Sequence, residues 1–137
     1  MNENQHWAND PKLRIVGLCC QALDDKKAEN LRILNVSGFS SITDYFIIAT
    51  GNSEPHLRAL TNEAERVLKE ENQSVLGRDM NPASGWTVLD AHDVILHLFL
   101  PEIRDLYRLD SLWKDGEEIK ADAFIELAEP VGLQRGH

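Results

Sequence analysis

Three carboxylates and two histidines are the residues of this chain best placed to do chemistry. Asp90 and Asp93 stand at the lips of a short break between two apolar runs, Trp86 to Leu89 and Val94 to Leu100. Asp44 precedes a third run, Tyr45 to Thr50. Carboxylates carried at strand ends can hold a divalent cation, and with a glycine-serine turn such as Gly51-Asn52-Ser53 they suggest nucleotidyl transfer. The spacing argues against it. Nucleotidyltransferases carry their metal aspartates as a DxD pair on one strand, whereas Asp90 and Asp93 face each other across a turn. No basic cluster for a triphosphate lies nearby. Aspartates in turns more often bond backbone amides. A metal-assisted nucleotide-binding enzyme using Asp44, Asp90 and Asp93 is therefore the alternative reading. His97 alternates with Ile95 and Phe99 on one strand face, with no serine or cysteine nucleophile in a recognisable motif beside it. It reads as a half-buried structural histidine, and His92 as an exposed turn residue.

Other candidate chemistries are weaker still. Gly51-Asn52-Ser53 lies between a strand and a helix, where amides attract anions, but it carries one glycine and neither GxGxxG nor GxxxxGK[ST]. It reads as a strand-to-helix turn with a capping serine. Cys19 and Cys20 are adjacent in an apolar helical stretch, and the chain has no CxxC pair, so both read as small buried hydrophobes.

The elements that must position these residues follow from the pattern. Asp10-Pro11 opens a first helix with the stripe Leu13, Val16, Cys20, Leu23. Leu31 to Val36 is a short strand. Tyr45 to Thr50 is a buried central one. Ser53 caps a second helix, whose inner face is Leu57, Leu60, Ala64, Val67 and Leu68, and which Asn72 stops. Val75 to Met80 predicts an edge strand, and the runs either side of Asp90–Asp93 predict an antiparallel hairpin. Pro101 ends the hairpin, and a helix follows over Glu102 to Leu112. Beyond Trp113 the apolar residues thin out, though Ile119, Ala123, Phe124 and Leu127 predict one weak amphipathic helix. The fold class is α/β (α+β), a mixed β-sheet with helices packed on it. The chain divides into an N-terminal extension (1–10), one domain (11–115) and an acidic C-terminal tail (116–137).

At 137 residues this is one domain, and its composition is that of a globular protein. No apolar run approaches the roughly 20 residues of a membrane span, and the N-terminus lacks a signal-peptide apolar region, so a cytoplasmic protein is expected. The net charge of −9 disfavours a generic nucleic-acid binder and favours a basic partner. Trp86, Tyr107 and Trp113 lie close to Arg104, and these are the residue types that dominate binding hot spots. On a period of two, Trp86, Val88 and Asp90 share a face. A face ending in an aspartate is the wetter one, so Trp86 is expected to be partly exposed.

From Lys12 to Asp115 the chain resembles the ribosomal silencing factors, or Iojap family. The resemblance is carried by Ser41-Ile42-Thr43-Asp44-Tyr45-Phe46, Gly51-Asn52-Ser53, Trp86 through Asp90, Asp93-Val94 and His97-Leu98-Phe99. Arg104, Tyr107, Leu109, Leu112 and Trp113 complete it. The chain departs from the family pattern at His92, where a glycine is usual. It also departs at Asp79-Met80 in place of Glu-Gly, and at His56-Leu57 in place of a basic residue and valine. The resemblance implies a nucleotidyltransferase-like topology without a catalytic site. It implies docking on the large ribosomal subunit through its protein fourteen, steric blocking of small-subunit joining, and lowered translation when nutrients are scarce. It implies homodimers in some members. No catalytic residue, cofactor, metal or membrane is expected, nor a direct dependence on nucleic acid. The expected partner-binding residues are Trp86, Asp90, His92, Asp93, His97, Arg104 and Tyr107.

Overall fold

A computed structural model of the chain describes residues 10–38, 43–75, 77–81, 84–107, 117–119 and 124, with backbone only for 77–81, 106 and 107. The element order is α1 (Pro11–Asp25), β1 (Glu29–Asn35), β2 (Tyr45–Thr50), α2 (Glu54–Glu70), β3 (Gly77–Asn81), β4 (Trp86–Asp90), β5 (Val94–Phe99), α3 (Pro101–Tyr107) and β6 (Glu117–Ile119). The strands form one sheet in the order β3-β4-β5-β2-β1-β6. Among the described residues only the central pair, β2 with β5, is parallel.

The helices start where their caps dictate. The Asp10 carboxylate accepts from the amides of Lys12 at 3.0 Å and Leu13 at 3.2 Å, ahead of Pro11. Ser53 Oγ accepts from His56 N–H at 3.2 Å. Asn72, just past α2, takes φ 60, the left-handed conformation that asparagine tolerates at a helix end.

Two apolar layers cover the sheet. On one face, Ile15, Val16, Cys19, Cys20 and Leu23 of α1 and Leu57, Leu60, Ala64 and Leu68 of α2 pack on Ile33, Ile47, Ala49, Leu89, Leu96 and Leu98. A fully buried aliphatic side chain contributes about 1.5–3 kcal/mol, which makes this layer the main source of stability. The opposite face carries Leu34, Val36, Phe46, Ile48, Ile95 and Phe99, with Trp86, Val88 and Ile103 packed against them. Every residue of β2 and of β5 is buried, because both of their faces are covered.

The mixed sheet, the buried strand at Tyr45–Thr50, the edge strand near residue 78 and the hairpin agree with the sequence reading. The helix predicted over Ile119 to Leu127 is corrected at its start. Glu117–Ile119 pairs with Ile33–Asn35 as the strand β6. The physical reason is tertiary: β1 offers an open edge, and Arg32 meets Glu118 at 2.9 Å. Phe124 is buried in the helix-side core, and Gln21 donates to its carbonyl. Two pieces of the 116–137 segment are thus part of the fold. The third helix begins at Pro101; its expected continuation to Leu112 lies outside the described residues.

Candidate functional site

The β4–β5 hairpin brings the candidate residues onto one surface. Burial alternates along β4: Thr87 and Leu89 are buried towards the helices, while Trp86, Val88 and Asp90 are half-buried on the other face. Trp86 is therefore partly exposed, as the period of two predicts. Its register partner is Phe99, and Val88 sits opposite His97. The indole N–H of Trp86 donates to His97 Nδ1 at 3.3 Å. That bond puts the imidazole proton on Nε2 and makes the ring neutral. Phe46, Phe99 and Trp86 surround it at centroid distances of 5.4, 6.2 and 6.0 Å. Burial pushes the His97 pKa down to about 4. His97 is 8% exposed, so it shapes this surface from beneath, by orienting Trp86.

At the far end of the strand, about 13 Å from Trp86 by the rise per residue, the chain turns. Ala91 N–H donates to Val94 O, and Asp93 N–H to Ala91 O, both at 2.9 Å. The second bond closes a three-residue turn centred on His92, whose φ is 73. Asp90 Oδ1 caps the turn by accepting from His92 N–H at 3.0 Å. The Asp93 carbonyl accepts from Asp44 N–H and Tyr45 N–H, which fastens the turn to β2. The His92 side chain is 75% exposed and stands 3.9 Å from the Asp93 carboxylate.

The carboxylates here have occupations other than a metal. Lys12 pairs with Asp44 and lies 3.8 Å from Asp93. The hydrogen bond to Asp44 raises the pKa of the Lys12 ammonium. Asp90 is turned to the His92 amide. Among the described residues no group of three His, Cys, Asp or Glu side chains is arranged to hold a metal ion. Burial, with Asp10 and Asp44 nearby, pushes the Tyr45 hydroxyl pKa up.

The Gly51-Asn52-Ser53 turn is likewise satisfied from within. Asn52 N–H donates to His56 Nδ1 at 2.9 Å, and His56 Nε2 meets the Lys26 carbonyl at 2.7 Å. His56 thereby ties the start of α2 to the end of α1, a role the sequence did not signal. A Cβ at Gly51 would lie 3.0 Å from Leu57 Cδ2, so the glycine allows α2 to begin close against β2.

Arg104 is apart from the His92 turn. It lies on α3 at the Trp86 end of the strands, where Thr50 and Trp86 both stand in register with Phe99, and its Nη1 donates to the Asn30 carbonyl at 2.7 Å and to Thr50 Oγ1 at 2.9 Å. Tyr107 closes α3, but its side chain, like Leu109, Leu112 and Trp113, lies outside the described residues. The thiols of Cys19 and Cys20 are buried, and burial raises the pKa of both, to about 12 for Cys19. Among the described residues no helix is long and apolar enough to cross a membrane.

Comparison with known proteins places this arrangement. The family model "Ribosomal silencing factor during starvation" matches residues 9–134. A ribosomal silencing factor of Halalkalibacterium halodurans is 33% identical over 111 residues, covering 81% of this chain and 95% of that protein. One from Zymomonas mobilis is 36% identical over 109 residues, covering 80% and 81%. The chloroplast Iojap protein of Arabidopsis thaliana is 34% identical over 96 residues, covering 70% of this chain and 40% of the plant protein. A crystal structure of a Chromobacterium violaceum protein superposes with a TM-score of 0.71 at 33% identity, covering 78% of this chain and 88% of that one. With the family model spanning residues 9–134 and relatives one third identical over four fifths of its length, this chain belongs to the ribosomal silencing factor family.

Proposed function

We propose that this chain represses translation by docking on the large ribosomal subunit through its protein fourteen, where it blocks joining of the small subunit. The observation that carries the reading is the half-exposed row Trp86, Val88, Asp90, which runs down one strand into the exposed His92 turn. An aromatic anchor beside carboxylates suits a basic protein surface, because opposite fields speed encounter and the indole supplies the buried contact. The net charge of −9 adds to the attraction for a basic protein and limits adhesion to surrounding RNA. Asp90, His92 and Asp93 flank the anchor. His97 holds it in place from below. Tyr107, the last residue of α3, is the remaining proposed contact. Occlusion needs no chemistry, which accords with carboxylates that cap and pair.

The test is co-sedimentation of the chain with isolated large subunits, followed by addition of small subunits and measurement of whole-ribosome formation. Binding with suppressed joining is expected. Absence of binding, or normal joining with the chain bound, would overturn the reading. Calorimetry with millimolar nucleotide and magnesium addresses the enzymatic alternative, for which no heat is expected.

A further inference from the structure

We infer that Arg104 is a positioning residue, which fixes α3 against the sheet and so frames the Trp86 surface. The inference rests on the docking reading above and assigns Arg104 a part in it other than direct contact. Its Nη1 donates to two acceptors on two different strands. One is the hydroxyl of Thr50, 1% exposed, at the end of β2. The other is the carbonyl of Asn30, which stands where the β1–β2 register slips between Glu29 and Arg32 and takes φ 50. A bulge leaves a residue out of the ladder, and here its carbonyl goes to the arginine. A bond from a charged donor to a carbonyl is among the stronger hydrogen bonds a side chain makes.

The neighbouring residue transmits the placement. Ile103 packs on the Phe99 cluster that also receives Trp86 and Val88. Gly85, immediately before Trp86, has φ 76, and a Cβ there would come within 2.7 Å of Ile103 Cγ1. Leu100 N–H donates to Gly85 O at 2.9 Å. The start of β4 is thus seated against the first turn of α3, with no room between them. Moving α3 moves the backbone that presents the indole. Arg104, the next residue along, ties that same helix to β1 and β2.

The experiment uses Arg104→Ala, Arg104→Lys, Thr50→Val and the double variant Arg104→Ala/Thr50→Val in the full chain. Two readouts are taken: affinity for isolated large subunits by co-sedimentation, and the Trp86 indole N–H resonance, assigned through Trp86→Phe. Arg104→Ala is expected to weaken binding about tenfold, equivalent to losing one charge-assisted hydrogen bond, and to shift the resonance. Lysine, which can reach the same acceptors, should restore most of both. Thr50→Val, buried and remote from any partner, should change both in the same direction by less. The double variant should add little to Arg104→Ala, because the two residues share one interaction. Wild-type binding by Arg104→Ala overturns the inference. So does weakened binding with the indole resonance unmoved and Thr50→Val silent, which would make Arg104 a direct contact. If the wild-type chain does not bind large subunits, the docking reading fails. The resonance shifts in Arg104→Ala and Thr50→Val then still decide the positioning role.

Discussion

Replacing His92 by glycine should make the protein slightly more stable and a poorer binder. His92 has φ 73 at the centre of a three-residue turn. The left-handed region costs an L-residue about 1–2 kcal/mol, with histidine among the better tolerated types, so about 1 kcal/mol is stored here. The surrounding bonds impose the conformation whatever side chain is present. Asp90 Oδ1 receives the 92 amide, Ala91 and Val94 close the hairpin, and Asp93 O is held by Asp44 and Tyr45. Glycine removes the strain but loses about 0.5–1 kcal/mol through the entropy of the unfolded chain. Because the imidazole is 75% exposed, its removal forfeits little packing. The balance is a gain of about 0.5 kcal/mol or less, roughly 1–2 °C in Tm at this size. His92→Val should lose about 1–2 kcal/mol, because a β-branched residue fits φ > 0 badly. Urea unfolding of the three proteins measures both differences. Glycine costing more than about 1 kcal/mol, or valine matching the wild type, would refute the strain argument. In the same preparations, glycine should bind large subunits more weakly than histidine.

Trp86→Ala should fold and lose about 2 kcal/mol or more of binding energy to large subunits, read by co-sedimentation; wild-type affinity would remove it as an anchor. Folding stability should fall as pH drops from 6.5 through about 4. The unfolded His97 takes up a proton over that window while the folded one stays neutral, for a total of order 3 kcal/mol. His97→Phe should flatten that part of the pH profile of chemical unfolding. Gly51→Ala should cost about 1–3 kcal/mol, since the new methyl crowds Leu57, and thermal unfolding would show it.

The parts of the fold written in local pattern were legible. Helix stripes, the two caps, the continuous apolar run of β2 and the alternation on β4 all depend on neighbours within a few residues, and the structure follows them. Trp86 as the half-exposed end of a wet face came from that alternation alone. Strand β6 was not legible. Glu117-Glu118-Ile119 has no strand character of its own and is a strand because β1 has an open edge. The two bonds of Arg104 were hidden for the same reason: its acceptors lie 74 and 54 residues away in sequence. At His56, the departure from the family's usual basic residue was visible, but not that its ring would span two helix ends. At His92 the departure pointed directly at the unusual backbone, because glycine is the residue a positive φ prefers.

Strands β2 and β5, covered on both faces, bear on how this protein meets a partner. Their amides should exchange with solvent only when the whole molecule unfolds, making them the slowest in the chain. The Trp86 surface is paired to β5 along its full length, from Trp86–Phe99 to Asp90–Ile95. A surface anchored to the least mobile strands has little freedom to lose on docking, so more of the contact energy appears as affinity.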